Sequence, residues 1–160
     1  MAMELITGRD KLKYKQGLKS QCVAVLRERI DTAREAMKAA QDSANNEEKS
    51  SAGDKYEVGR AMSQINRDRC AGQLDEATQE LMKLQSIDTG KVYEKVNNGA
   101  VVVCRDTRYF IATGLGAISY EGYKVIVLSP MAPLSILLRG NVKGNKVTFN
   151  GKNFEITNVF

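Results

Sequence analysis

Asn45-Asn46-Glu47-Glu48-Lys49-Ser50-Ser51-Ala52-Gly53-Asp54 is the stretch on which the fold turns. Asn and Gly are stop-and-turn residues, Ser51 or Asp54 can cap a following helix, and Asp54 with Glu57 three residues on fits a capping box. On its N-terminal side, small and apolar residues recur every three or four positions, at Leu18, Cys22, Leu26, Ile30, Ala33, Met37, Ala40 and Ala44. That is one stripe on a helix of about 35 residues, roughly 50 Å long. The helix is expected to start after Thr7, whose hydroxyl joins the first-turn Asp10 as an N-terminal signal. On the C-terminal side, Met62, Ile65, Arg69 or Cys70, Leu74, Ala77, Leu81 and Leu84 repeat nearly the same spacing, on a second helix from about Lys55 to Ile87. Neither stripe can be covered by its own helix. Two helices of matched length joined by about ten residues fold back as an antiparallel hairpin.

Composition supports the division. Residues 9 to 90 are dense in Ala, Glu, Lys, Arg, Gln and Leu and contain no Pro and no Phe, which is a helix composition. From Val92 onward the chain turns to Val, Ile, Phe, Tyr, Thr, Gly and Asn and holds both prolines, Pro130 and Pro133. The expected domains are therefore 1-90, a helical hairpin with its tip near 45-54, and 91-160, a small β-rich domain, an α+β arrangement. After a Gly-, Asn- and Lys-rich linker, the alternation predicts strands at Ala100 to Arg105, Tyr109 to Thr113, Ile118 to Tyr120 and Tyr123 to Leu128. Pro133 near the start and Gly140 just past the end mark one short helix over Leu134 to Leu138, whose apolar face is read as core. Val147 to Asn150 and Asn153 to Val159 form a closing hairpin around Asn150-Gly151, which makes about six strands wrapped on one helix.

Charge and residue inventory narrow the chemistry. The net charge is +5, yet the stretch from Asp42 to Glu57 has five acids against two bases and carries −3, an acidic island in a basic chain. A basic balance fits an acidic partner such as nucleic acid. With no histidine, every catalytic triad and metal site that needs an imidazole is excluded. Cys22, Cys70 and Cys104 are odd in number and have no Cys-x-x-Cys spacing, so neither a disulfide framework nor a zinc site is indicated. A turn centred near residue 50 keeps Cys22 and Cys70 too far apart to bridge, whereas one near Asn46 would bring them opposite each other. No apolar run is long enough for a membrane span and no apolar signal core is present, so a cytoplasmic protein without membrane contact is expected.

Other signals are weighed against simpler readings. Gly114-Leu115-Gly116 lacks the third glycine of a phosphate loop. Lys11, Lys13, Lys15, Lys19, Arg27, Arg29, Arg34 and Lys38 read as a solvated helix face with little interleaved aromatic surface. Ser50 and Ser51 have no histidine base, and Tyr56 reads as a packing residue; with Glu57 these support the tip. Asp54 is as much a helix cap as a functional acid, while Glu47 and Glu48 have no such local task. Glu47, Glu48 and Asp54 are therefore the candidate site. Alone they catalyse nothing and hold no metal or cofactor, but beside a magnesium ion held by another protein they could add oxygen ligands.

At the C-terminal end, Ser129-Pro130-Met131-Ala132-Pro133-Leu134-Ser135-Ile136-Leu137-Leu138-Arg139-Gly140-Asn141-Val142-Lys143-Gly144-Asn145 resembles the pattern of the Gre family of bacterial transcription elongation factors: Ser-Pro, a short Leu-rich helix, Gly, a basic residue, then Gly-Asp before the last two strands. Asn145 stands where that Asp falls, and Val147 to Val159 continues the likeness. The tip departs from the family pattern. Aligned on Tyr56, Lys49 and Ala52 occupy the two acidic positions of cleavage-stimulating members, and only a shifted alignment recovers Glu47 or Glu48 with Asp54. The resemblance implies an FKBP-like C-terminal domain that docks on RNA polymerase near its secondary channel, while the hairpin enters the channel and reaches the nucleic acid only indirectly. It implies a modulator of paused or backtracked complexes with no enzyme activity of its own, sharing Mg2+ with the polymerase at most. The alternative is a non-enzymatic coiled-coil adaptor. A third reading, a prolyl isomerase, lacks the Trp and the aromatic lining a proline pocket needs.

Overall fold

The computed structural model describes the backbone of residues 8–49 and 54–160 and the side chains of residues 8–46 and 57–160. Helix α1 is Gly8–Lys49 and α2 is Asp54–Gln85, of 42 and 32 residues. Asp10 lies in the first turn of α1 as expected, and Thr7 is outside the described residues. The first helix is longer than its stripe predicted, because Asn45 and Asn46 do not stop it. Asn costs a helix under about 1 kcal/mol, and Gln41 Nε2 donates to Asn45 Oδ1 one turn on, at 3.2 Å. Only residues 50–53 separate the helices, not about ten.

The chain divides into two compact units. One runs to Ala24 and resumes from Glu80 to Phe160; the other is Val25–Gln79. In the second unit α1 buries Leu26, Ile30 and Ala33, as its stripe predicts. The α2 stripe holds at Cys70, Leu74, Ala77 and Leu84 but is corrected at Met62 and Ile65. Ser63, Cys70 and Ala77 are buried with Leu74 half-buried, while Met62 and Ile65 are 56% and 61% exposed. The reason is period. Stepping back by sevens from the buried Leu84 lands on Ala77, Cys70 and Ser63, and a 3.5-residue seam cannot also carry Met62 and Ile65. Arg67 Nη1 donates to Gln41 Oε1 at 2.9 Å, a pairing that speaks against a turn at Asn46. All three cysteines are free and buried.

The first unit is built on a five-stranded sheet of order β3-β4-β2-β1-β7, with β1 Val101–Cys104, β2 Thr107–Ile111, β3 Gly116–Tyr120, β4 Tyr123–Leu128 and β7 Asn158–Val159. Helix α3 is Pro133–Leu138, and β5 Lys146–Phe149 and β6 Lys152–Glu155 form a separate ribbon. The expected last strand thus splits in two, giving seven strands in two sheets among the described residues. Pairing is antiparallel except between β2 and β4, which run parallel.

Register places Val102, Tyr109 and Ile126 on one sheet face and Val101, Phe110 and Val127 on the other. The first face meets Leu138 of α3, Val147 and Ile156, and partly buried Leu134 and Phe154. The linker joins this core: Val96 is buried, its amide donates to Asn141 O, and its carbonyl accepts from the Gly140 amide, both at 2.9 Å. On the second face Phe160 stands edge-on to Tyr14 of α1, with ring centroids 5.8 Å apart. The central strands β1 and β2, buried on both faces, are the frame on which the foot of the hairpin is mounted, whereas the edge strand β3 is largely exposed.

Candidate functional site

The candidate acids sit at the closed end of the hairpin. Glu47 and Glu48 fall in the last turn of α1, and Asp54 is the first residue of α2. Their side chains and that of Tyr56, like all of Ser50 and Ser51, lie outside the described residues, and Glu57 is exposed. The backbone thus brings the two glutamates and Asp54 to the two helix ends that flank one four-residue connection. Helix dipoles treat them oppositely. Asp54 at an N-terminus is favoured, whereas Glu47 and Glu48 at a C-terminus face the partial negative charge of unpaired carbonyls.

The foot of the hairpin is held by polar residues that sequence reading passed over. Lys15, assigned to a solvated face, is fully buried: its Nζ donates to Lys91 O at 2.7 Å and lies 4.6 Å from the centre of the Tyr93 ring. Burial pulls its pKa down to about 8, against an opposing pull from Asp88. One turn on, Lys19 Nζ donates to Ile87 O at 2.7 Å and Gln85 O at 3.2 Å. Two lysines of one helix thus satisfy carbonyls at and just beyond the end of the other. The signal was present, since Lys15 precedes Leu18 by three residues and continues the apolar stripe.

Glu80 of α2 fixes the other side. Its carboxylate accepts from the Thr113 hydroxyl, from the Gly114 amide at 2.8 Å and from Lys83 at 3.3 Å. Burial alone would raise its pKa, but these donors outweigh it and hold the carboxyl below the usual range. Gly114 therefore serves as an anchor for α2 rather than as part of a phosphate loop. Arg108 is buried on the second sheet face with its guanidinium carbon 3.8 Å from the Tyr123 ring centre and 4.9 Å from that of Tyr14. Among the described residues, its Nε and the Tyr14 hydroxyl have no hydrogen-bond partner. Gly17 gives room to the Tyr120 ring, whose hydroxyl would have to shift if a Cβ stood there.

Helix α3 departs from its expected role. Leu138 is buried and Leu134 half-buried on the core, but Ile136 and Leu137 are 55% and 40% exposed, and Met131 beside them is 76% exposed. A one-and-a-half-turn helix on a sheet buries only one side, so its other apolar residues face outward. The segment is held in shape: Ser135 Oγ donates to Ser129 O at 2.7 Å, Arg139 donates to Pro130 O at 3.0 Å, and Asn141 donates to Leu137 O and Leu138 O. Asn145 in turn donates to Asn141 Oδ1 at 3.1 Å, a bond that an aspartate in its place would lack a donor to make.

No family model and no curated protein sequence matches the chain. Among solved structures it is similar to the transcription factor Gfh1, with a TM-score of 0.36 and 15% identity over 86% of this chain and 92% of that one. That distance carries nothing across for any residue, so the site stands on its own geometry. Among the described residues no group of three or more potential metal ligands occurs, and no helix is long and apolar enough to cross a membrane.

Proposed function

We propose that this chain is a transcription elongation factor that binds RNA polymerase, enters its secondary channel with the α1–α2 hairpin, and acts there on paused or backtracked complexes through Glu47, Glu48 and Asp54. The observation that carries the reading is the position of Glu47 and Glu48 in the last turn of α1, where a carboxylate works against the helix dipole. Acids placed at the unfavourable end of a helix dipole are better explained by what they meet. Beside a magnesium ion held by the polymerase they add oxygen ligands, or they compete with substrate phosphates. The Gre-like Ser129 to Asn145 segment and the outward-facing Met131, Ile136 and Leu137 supply the docking side of the proposal. The protein contributes no catalytic machinery of its own.

The test is a triple change, Glu47→Ala, Glu48→Ala and Asp54→Asn, the last chosen because Asn keeps N-capping. The variant is expected to bind polymerase as the wild type does but to lose its effect on backtracked complexes, whether that effect is transcript cleavage or inhibition. Full retention of the effect would reduce the tip to a steric plug. A wild type that neither binds polymerase nor alters elongation would remove the reading altogether.

One observation favours a second reading. Val58, Met62 and Ile65 of α2 are 64%, 56% and 61% exposed at helical spacing, the surface a coiled-coil adaptor would offer to a partner helix. Met62→Ser with Ile65→Ser should abolish partner capture under that reading and leave polymerase docking through the β domain intact under the first.

A further inference from the structure

The β domain carries a feature that neither the hairpin nor α3 uses. Between the β1–β2 turn and the β5–β6 ribbon lies a groove of about 410 Å³ lined by Cys104, Arg105, Lys146, Asn153, Phe154 and Glu155. Its contents are biased toward donors. Arg105 and Lys146 have no ion-pair partner among the described residues, where the recorded bridge joins Lys83 and Glu80. The Asn153 side-chain oxygen accepts from the Thr148 hydroxyl at 2.7 Å, which holds that side chain on the outer face of the ribbon beside Thr148. Phe154 is half-buried and braced edge-on against Tyr109, with centroids 6.4 Å apart and planes at 83°, so its orientation is fixed. Cys104 is buried, and burial pushes its thiol up to about 11, so it lines the groove as a neutral group.

Arg105 holds its place against a backbone cost. It sits in the two-residue connection between β1 and β2 with φ at +50°, a conformation that glycine adopts freely and an L side chain resists. Strain retained at a residue is a pointer to what its side chain does. Charge distribution agrees. Residues 91 to 160 hold nine lysines and arginines against four acids, a net +5 equal to that of the whole chain, so the hairpin half is neutral.

We propose that this groove binds single-stranded nucleic acid, with Arg105 and Lys146 on phosphates and a base stacked on the accessible part of Phe154. The volume suits a single nucleotide unit rather than a duplex. An aromatic platform flanked by cations is the arrangement that binds unpaired strands with little sequence preference. Glu155, opposite Lys146 in the ribbon register, is the one groove acid and weakens the site by partly offsetting that lysine. An acidic protein segment would satisfy the two cations but would make no use of a fixed ring.

The experiment uses the full chain and fluorescein-labelled eight-residue oligo(U) and oligo(dT), with anisotropy read across a salt series starting at about 50 mM. Wild type should bind saturably. Arg105→Gly should melt at or above the wild-type temperature, because glycine relieves the turn, yet bind more weakly. Arg105→Gly with Lys146→Gln should weaken binding at least tenfold and reduce the slope of log affinity against log salt by about 0.7 per lost cation. Glu155→Gln should tighten binding, and Lys11→Gln with Lys38→Gln on α1 should leave it unchanged. Preference for oligo(U) over oligo(dT) would identify RNA as the source, and equal binding would mean either strand. The proposal is overturned if wild type shows no saturable binding, if affinity follows Lys11 and Lys38 instead, or if polyglutamate of equal charge competes as well as the oligonucleotide. It is also overturned if Arg105→Gly loses both melting temperature and affinity while Lys146→Gln binds like wild type, which would assign Arg105 to the turn alone.

Discussion

Lys15 shows how a single residue can oppose a fold and still be kept by it. Its ammonium group has no access to water and is compensated by one carbonyl and one ring face, so burial favours the neutral amine and the pKa falls from 10.5 to about 8. Below pH 8 both folded and unfolded chains hold the proton, and the full cost of burying the charge is present. Between about pH 8 and 10.5 the folded chain has released it and the unfolded chain has not, so this residue makes stability rise with pH. The buried thiols act in the opposite direction: Cys22, pushed up to about 12, and Cys104, to about 11, keep their protons in the fold while unfolded thiols lose them above about 9. The informative quantity is therefore a difference. Urea stability of wild type minus that of Lys15→Met, measured from pH 7 to 10.5, should rise with pH, and a flat difference would show that Lys15 stays charged in the fold.

Among the elements, α3 and the end of α1 give opposed expectations. Leu138 is buried in the β-domain core and Leu137 is 40% exposed. Leu138→Ala should cost about 2 to 5 kcal/mol and Leu137→Ala under about 1 kcal/mol, read as separate melting temperatures. Equal losses would mean that the outer side of α3 is packed as well. At the end of α1 the sign reverses. Glu47→Gln and Glu48→Gln remove charges that oppose the dipole, and each should stabilise the hairpin by about 0.3 to 1 kcal/mol. Slower amide exchange in residues 40 to 46 is the direct readout. If protection falls instead, the glutamates have a structural partner, and the argument for the acidic tip loses its footing.

For the whole molecule, the proposed tip and the proposed docking surface belong to different compact units, one within Val25–Gln79 and the other on the β domain. The two can therefore be disabled separately. Met131→Ser, Ile136→Ser and Leu137→Ser together should leave the melting temperature nearly unchanged, because all three side chains are exposed, while abolishing co-purification with RNA polymerase. A soluble, folded variant that still captures polymerase would move docking to another surface. The tip variants should show the converse, with capture retained and the effect on elongation lost.

The sequence by itself determined which residues share a face. Spacing of three and four marked the α1 stripe from Leu18 to Ala44, alternation marked β1 to β4, and Asn150-Gly151 marked the ribbon turn, because helix and strand periods are local properties of the backbone. It also marked Glu47, Glu48 and Asp54 as the candidate acids of one short stretch, which the backbone places at the two facing helix ends while their side chains lie outside the described residues. Tertiary structure decided which faces were covered and by what. Met62 and Ile65 turned outward because the seam follows a 3.5-residue period from Leu84, and Ile136 and Leu137 because a short helix on a sheet can bury only one side. Lys15 turned inward because carbonyls distant in sequence were there to receive it. The parallel pairing of β2 with β4 was likewise invisible, since a strand's own alternation is the same whichever neighbour it joins. Periodicity fixes a face, but burial is a property of pairs of faces, and for a charged side chain it depends on partners that only the folded chain assembles.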